Sequence, residues 1–139
     1  MRFWMIGALS LTAALAACAA APMRPSEAEL AVADSGPFPD QWEAAIKSHM
    51  NERLKDPESA RYDFFRRPTK FYSGYNAPYL YGWGTCVYIN SKNSFGGYTG
   101  KQIGYFFLRG NEVLESINAD GSESREGLVR EKCSHLPVD

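Results

Sequence analysis

The chain is short of the residues that most site chemistry needs. Its 139 residues hold two histidines, His49 and His135, and three cysteines, Cys18, Cys86 and Cys133. No two cysteines stand in a CxxC spacing, and Cys133 and His135, two apart, have a separation that suits a chelate but is common by chance, so no metal is expected. Fifteen basic residues against 16 acidic ones leave a net charge of -1. Nowhere do lysines and arginines form a block that could neutralise a row of phosphates, which argues against a nucleic-acid partner. Serines are scattered, both histidines fall in helical or tail contexts, and carboxylates such as Glu43, Glu112 and Glu115 read as surface residues without a shared cleft. A phosphate loop is missing too, because Gly100-Lys101 has Phe95 five positions before its glycine and Gln102 after its lysine, where glycine and a hydroxyl residue are required. No cofactor is implied. A non-catalytic chain is expected, with a small hydrolase as the weaker alternative. There is no internal repeat, and the only long apolar run is at the N-terminus.

That run is where the chain is most specific. Arg2 is followed by an apolar stretch from Phe3 to Leu15, too short for a comfortable membrane span, and then by Leu15-Ala16-Ala17-Cys18. A leucine three positions before a cysteine, with small residues between, resembles the processing site of bacterial lipoproteins. The resemblance implies a signal peptide over 1–17, a Cys18 that begins the mature chain, and acyl chains such as palmitate carried on it through a diacylglyceryl group. Ala19 in the following position is similar to the sorting signal for the outer membrane, facing the periplasm. Removal of residues 1–17 leaves about 122 residues and a charge near -2, enough for one domain and a tether.

Lipidation would use one thiol and leave Cys86 and Cys133 as a pair. In an oxidising periplasm such a pair most often bridges, closing a loop of nearly 50 residues for about 4 kcal/mol in the chain-entropy model. A reactive thiol and a metal site remain the competing readings.

Residues 18–39 read as the lipidated N-terminus and a flexible tether, since Ala19 to Pro39 is rich in alanine, proline, serine and acids and lacks a stripe of large apolar side chains. The folded domain is expected over 40–139. Asp40 is placed to cap a helix with Glu43 reaching back to it, and Trp42, Ala45, Ile46, His49, Met50, Arg53 and Leu54 follow helical spacing up to a stop at Asp56-Pro57. His49 and Arg53 border the apolar face, as a partly buried imidazole and a snorkelling arginine. Strands are expected at 61–65, 85–90, 103–108 and 113–117. Gly110 and Asn111 supply a tight turn between the last two, and Pro68 and Pro78 exclude a central strand from 66–84. Asn118 to Gly121 reads as a turn, followed by a short helix over 124–133. The fold class is α+β: an N-terminal amphipathic helix packed on a small antiparallel sheet of about three to five strands, with a short C-terminal helix tied by a disulfide.

Two segments carry unusual texture. Leu54-Lys55-Asp56-Pro57-Glu58-Ser59-Ala60 and the run Cys86 to Gly100, which reads Cys-x-x-x-Asn-x-Lys-Asn-x-x-Gly-Gly-Tyr-x-Gly, together resemble a pattern in small uncharacterised bacterial exported proteins. The likeness implies a compact helix-plus-sheet domain and no particular activity. Within it the glycines can serve a hairpin while Phe95 and Tyr98 pack on the sheet, or Asn90, Lys92, Asn93 and Tyr98 can contact a ligand or partner. Tyr79, Tyr81 and Trp83 likewise either pack over a small core or present stacking faces to cell-wall glycan or an envelope protein. The expected role is a lipid-anchored envelope binding or accessory module, the alternative an inhibitor or assembly subunit of an envelope complex.

Overall fold

The computed structural model describes residues 24–118 and 122–137; the expected signal peptide over 1–17, Cys18 and most of the turn at 118–121 lie outside them. The fold is α+β. Five antiparallel strands, β1 (Arg61–Asp63), β2 (Thr69–Ser73), β3 (Leu80–Asn90), β4 (Gln102–Arg109) and β5 (Glu112–Asn118), are accompanied by helices α1 (Glu27–Val32), α2 (Trp42–Asn51) and α3 (Glu123–Ser134). The sheet runs β1-β3-β4-β5, with β2 also paired to β3. β1 lies along Tyr88–Asn90 and β2 along Leu80–Gly84, so β3 is the spine of the sheet.

Alternation along β3 sends successive side chains to opposite faces, and here both faces are buried. Val87 and Ile89 join Phe106 and Leu108 under Trp42, Ile46 and Met50, which recur every four residues along one stripe of α2. Cys86 joins Phe71, Tyr105 and Phe107 under Val129, Cys133 and Leu136, the buried residues of α3 and the turn after it. The sheet is thus a layer between two helices. Gly84 permits the second contact, because a Cβ there would stand 2.6 Å from Leu136 Cδ2 and 3.1 Å from Phe71 Cβ. Cys86 and Cys133 meet in a disulfide across that interface, with Cα atoms 6.0 Å apart.

Several expectations need correction. The stretch read as tether is part of the fold from Arg24 onward. Ser26 and Glu29 cap α1 reciprocally, with the Ser26 N–H donating to the Glu29 carboxylate at 2.6 Å and the Glu29 N–H to Ser26 Oγ at 3.2 Å. Leu30, Ser35 and Pro39 are buried. Distant side chains take up the segment's backbone carbonyls: Lys70 Nζ donates to Ala31, an Arg109 nitrogen to Asp34, and the Trp83 indole to Gly36. Residues 24–39 therefore form a strap that begins beside α3, passes along β2 and ends under α2, where Phe38 meets the Trp83 ring edge-on at 5.1 Å. The helix expected at the N-terminus of the domain is consequently the second one.

Asp40 does not cap it. Gln41 is the N-cap, without a side-chain hydrogen bond, and its N–H is held instead by Asn111 Oδ1 at 2.9 Å. α2 stops at Asn51, where the N–H groups of Arg53 and Leu54 both return to the Met50 carbonyl. Asp56 caps a separate 3-10 turn at Pro57–Ser59. A strand and a half occupy the stretch that prolines were expected to exclude, because Pro68 immediately precedes β2 and Pro78 sits in the loop before Leu80, leaving every ladder position of β2 and β3 free of proline. At the β4–β5 turn only Gly110 has a positive φ, +56°; Asn111 does not. Among the described residues no helix is long and apolar enough to cross a membrane.

Candidate functional site

The residues singled out in the sequence separate into two places. Asn90, Lys92, Asn93 and Tyr98 lie together in the loop from β3 to β4, whereas Tyr79, Tyr81 and Trp83 lie at the opposite end of β3. Seven residue steps of extended chain, roughly 23 Å, separate Trp83 from Asn90.

The β3–β4 loop is built by its asparagines and glycines. Asn93 Oδ1 accepts from the N–H groups of Phe95 and Gly97 at 2.9 and 3.1 Å, and Asn90 Oδ1 accepts from Gly100 at 3.1 Å. Gly96 and Gly100 take φ values of +79° and +90°, the left-handed region that suits glycine. Backbone bonds from Asn93 N–H to Gly97 O and from Thr99 N–H to Ser91 O close the hairpin. The loop is also tied to the other patterned segment: the Lys92 N–H donates to Ser59 Oγ at 3.0 Å and Lys55 Nζ to Ser94 Oγ at 2.8 Å. The turn around Pro57 and the loop around Gly96 are two halves of one local structure.

The aromatic residues behave otherwise. Phe95 and Tyr98, which one of the two readings packs on the sheet, are 96% and 41% exposed. The loop closes through backbone bonds and through the Asn90 and Asn93 side chains, none of which engages the Phe95 ring. Cations gather around the remaining rings: the Arg61 guanidinium 4.7 Å and the Lys92 ammonium 5.6 Å from the Tyr98 centroid, and Lys101 5.8 Å from that of Tyr88. Phe65 extends the aromatic surface, its ring 4.7 Å from that of Tyr88. Lys101 also pairs with Asp63 at 3.0 Å, so part of the positive charge is balanced. The roles of Asn90 and Asn93 are thus accounted for by loop construction, while Lys92, Phe95 and Tyr98 carry side-chain surface outward.

At the other end Tyr72, Tyr79 and Tyr81 form a file of rings with successive centroids 5.1 and 6.4 Å apart. Trp83 is committed to the strap through Gly36 and Phe38. Beside it a cavity of about 570 Å³ is lined by Leu30, Pro68, Thr69 and Lys70.

One polar pair had no signal in the sequence. His49 Nε2 and Ser116 Oγ, 67 positions apart, stand 2.8 Å from each other where α2 crosses β5. Burial, reinforced by the Arg53 charge, holds the His49 pKa below its usual value, with Glu52 opposing. The arrangement satisfies two half-buried groups. A lowered folded-state pKa means that the unfolded chain binds the extra proton more readily, so the stability from neutral His49 is complete above the unfolded imidazole pKa and declines as pH falls below it. Between pH 7 and 5 the melting temperature is expected to fall less in a His49→Gln variant than in the wild type; equal slopes in thermal melts would show that His49 does not contribute.

Among the described residues no group of three or more histidine, cysteine or acidic side chains is placed to hold a metal. Compared with protein-family models, curated proteins and solved structures, the chain matches none.

Proposed function

We propose that this chain is a lipid-anchored protein of the bacterial cell envelope, held through Cys18 at the periplasmic face of the outer membrane. Its domain is a non-catalytic binding or accessory module that meets cell-wall glycan through the β3–β4 loop. The observation that carries the binding role is Phe95, a large apolar side chain left in water at the tip of a loop whose own hydrogen bonds do not need it. Burying such a ring against a partner is worth about 1.5–3 kcal/mol. The surrounding groups suit a glycopeptide mesh: Phe95 and Tyr98 offer faces for sugar rings, while Arg61 and Lys92 offer charge to peptide carboxylates. Support for the anchor comes from the cysteines, since Cys86 and Cys133 pair with each other and Cys18 is the one left over.

The test is co-sedimentation with purified peptidoglycan sacculi. Phe95→Ala and Lys92→Glu are each expected to weaken binding roughly tenfold or more, while the change at the exposed Phe95 moves stability by no more than about 0.5 kcal/mol. Failure of the wild type to sediment, or undiminished binding by both variants, would refute the glycan reading. An exposed phenylalanine beside tyrosine and arginine also has the composition of a protein hot spot, which keeps an inhibitor or assembly subunit as the second reading. In that case crosslinking in intact cells captures a single stoichiometric partner, and Phe95→Ala abolishes the capture.

A further inference from the structure

We infer that the β2–β3 end of the domain, carrying Arg24, Tyr75, Leu80 and Leu128, is the surface that rests on the bilayer. The inference rests on the lipid anchor at Cys18 and adds an orientation to it. From Cys18 to Arg24 is six residue steps, at most about 22 Å even when fully extended, so Arg24 cannot stand far from the acylated residue.

The position of Arg24 is fixed by the structure. Arg24 pairs with Glu131 of α3 at 4.0 Å, and it borders a cavity of about 260 Å³ together with Tyr72, Gly74, Tyr75, Leu128 and Glu131. Pro25, the next residue, is buried. The short tether therefore keeps Arg24, and with it the β2–β3 hairpin end, near the headgroups.

The side chains there suit that environment. Tyr75 is 84% exposed, Leu80 45% and Leu128 40%, an apolar outcrop that the fold itself leaves uncovered. Tyrosine is favoured at membrane–water boundaries because its ring and hydroxyl suit opposite sides of the boundary. The charged groups facing this end are Arg24 with Glu131, Lys132 with Glu115 at 3.7 Å, and His135. Two of the acids there are thus occupied by bases, while Glu27, which lines a neighbouring cavity with Arg24 and His135, stands without an ion pair among the described residues. The Phe95 loop lies beyond the far end of β3, whose 11 residues span roughly 33 Å. An anchored domain in this orientation holds that loop away from its own membrane.

The full-length protein, acylated in cells and reconstituted into vesicles of phosphatidylethanolamine with some phosphatidylglycerol, provides the test. A fluorophore is attached to Tyr75→Cys or Phe95→Cys, and a nitroxide quencher is carried on the lipid headgroups. Quenching is expected to be roughly fivefold stronger at position 75, given the length of strand between the two sites. Equal quenching, or stronger quenching at position 95, overturns the orientation. Hydroxyl-radical footprinting of the unlabelled protein on the same vesicles guards against disturbance by the label: protection of Tyr75 with a reactive Phe95 supports the proposal, and the converse rejects it. Mass spectrometry of the same preparation separates the two ideas. An unmodified Cys18 removes the anchor and the orientation together, whereas an acylated Cys18 with an unquenched position 75 removes the orientation alone.

Discussion

Replacing Cys86 and Cys133 together by alanine is expected to lower the stability of the domain by about 4 kcal/mol, the chain-entropy value for a loop of this length. The two residues are 47 apart in sequence, so the bridge removes a large share of the unfolded chain's freedom. It also compensates for a weak helix. α3 buries only Val129 and Cys133, with Leu136 following in the turn after it, and its other positions are largely polar. What remains without the bridge is that small apolar contact, the ion pairs of Glu131 with Arg24 and Lys132 with Glu115, and the Arg66 guanidinium, whose donors reach the carbonyls of Cys133 and Leu136 at 2.9 and 2.8 Å. For a domain of this size the loss corresponds to a fall in melting temperature of roughly 20 °C. Hydrogen exchange is expected to accelerate first in α3, because its opening no longer requires the sheet to open. A fall of only a few degrees would mean that Arg66, Val129 and Leu136 hold the helix without help from the bridge.

What could be read from the residues in advance divides along physical lines. Short-range periodicity located α2, β4 and β5 to within a few residues, because Trp42, Ile46 and Met50 and the alternation around Phe106 report burial directly. Cysteine parity led to the Cys86–Cys133 pair. The strap was invisible for the complementary reason. Leu30 is the one large buried side chain of α1, and most of its attachment comes from backbone carbonyls bonded to Lys70, Trp83 and Arg109, far away in sequence. β2 was missed because flanking prolines were read as excluding a strand, although a proline at a strand's edge takes nothing from its ladder. In the candidate site, the loop-forming asparagines and glycines had a local signature. Neither the exposure of Phe95 nor the meeting of His49 with Ser116 had one, since each is decided by how the chain closes on itself.

Cys18→Ser is expected to act in the opposite way from loss of the bridge, abolishing lipid attachment while leaving the fold intact. Serine offers no thiol for a thioether to glycerol, and each methylene withdrawn from the bilayer removes about 0.8 kcal/mol of attachment, so loss of whole acyl chains outweighs anything a surface contact can supply. The described structure begins at Arg24, downstream of the substitution, and the two buried clusters described in it are formed by residues between Trp42 and Leu136. Growth with labelled palmitate should therefore mark the wild type and the Cys86→Ala/Cys133→Ala protein but not Cys18→Ser. Melting of the purified proteins should reverse the pattern, with Cys18→Ser close to the wild type and the double variant far below it. The pairing of the two assays is what gives the prediction its force. Label retained by Cys18→Ser would refute the anchor whatever the stability of the domain, and a destabilised Cys18→Ser domain would show that residues ahead of Arg24 also hold the fold together.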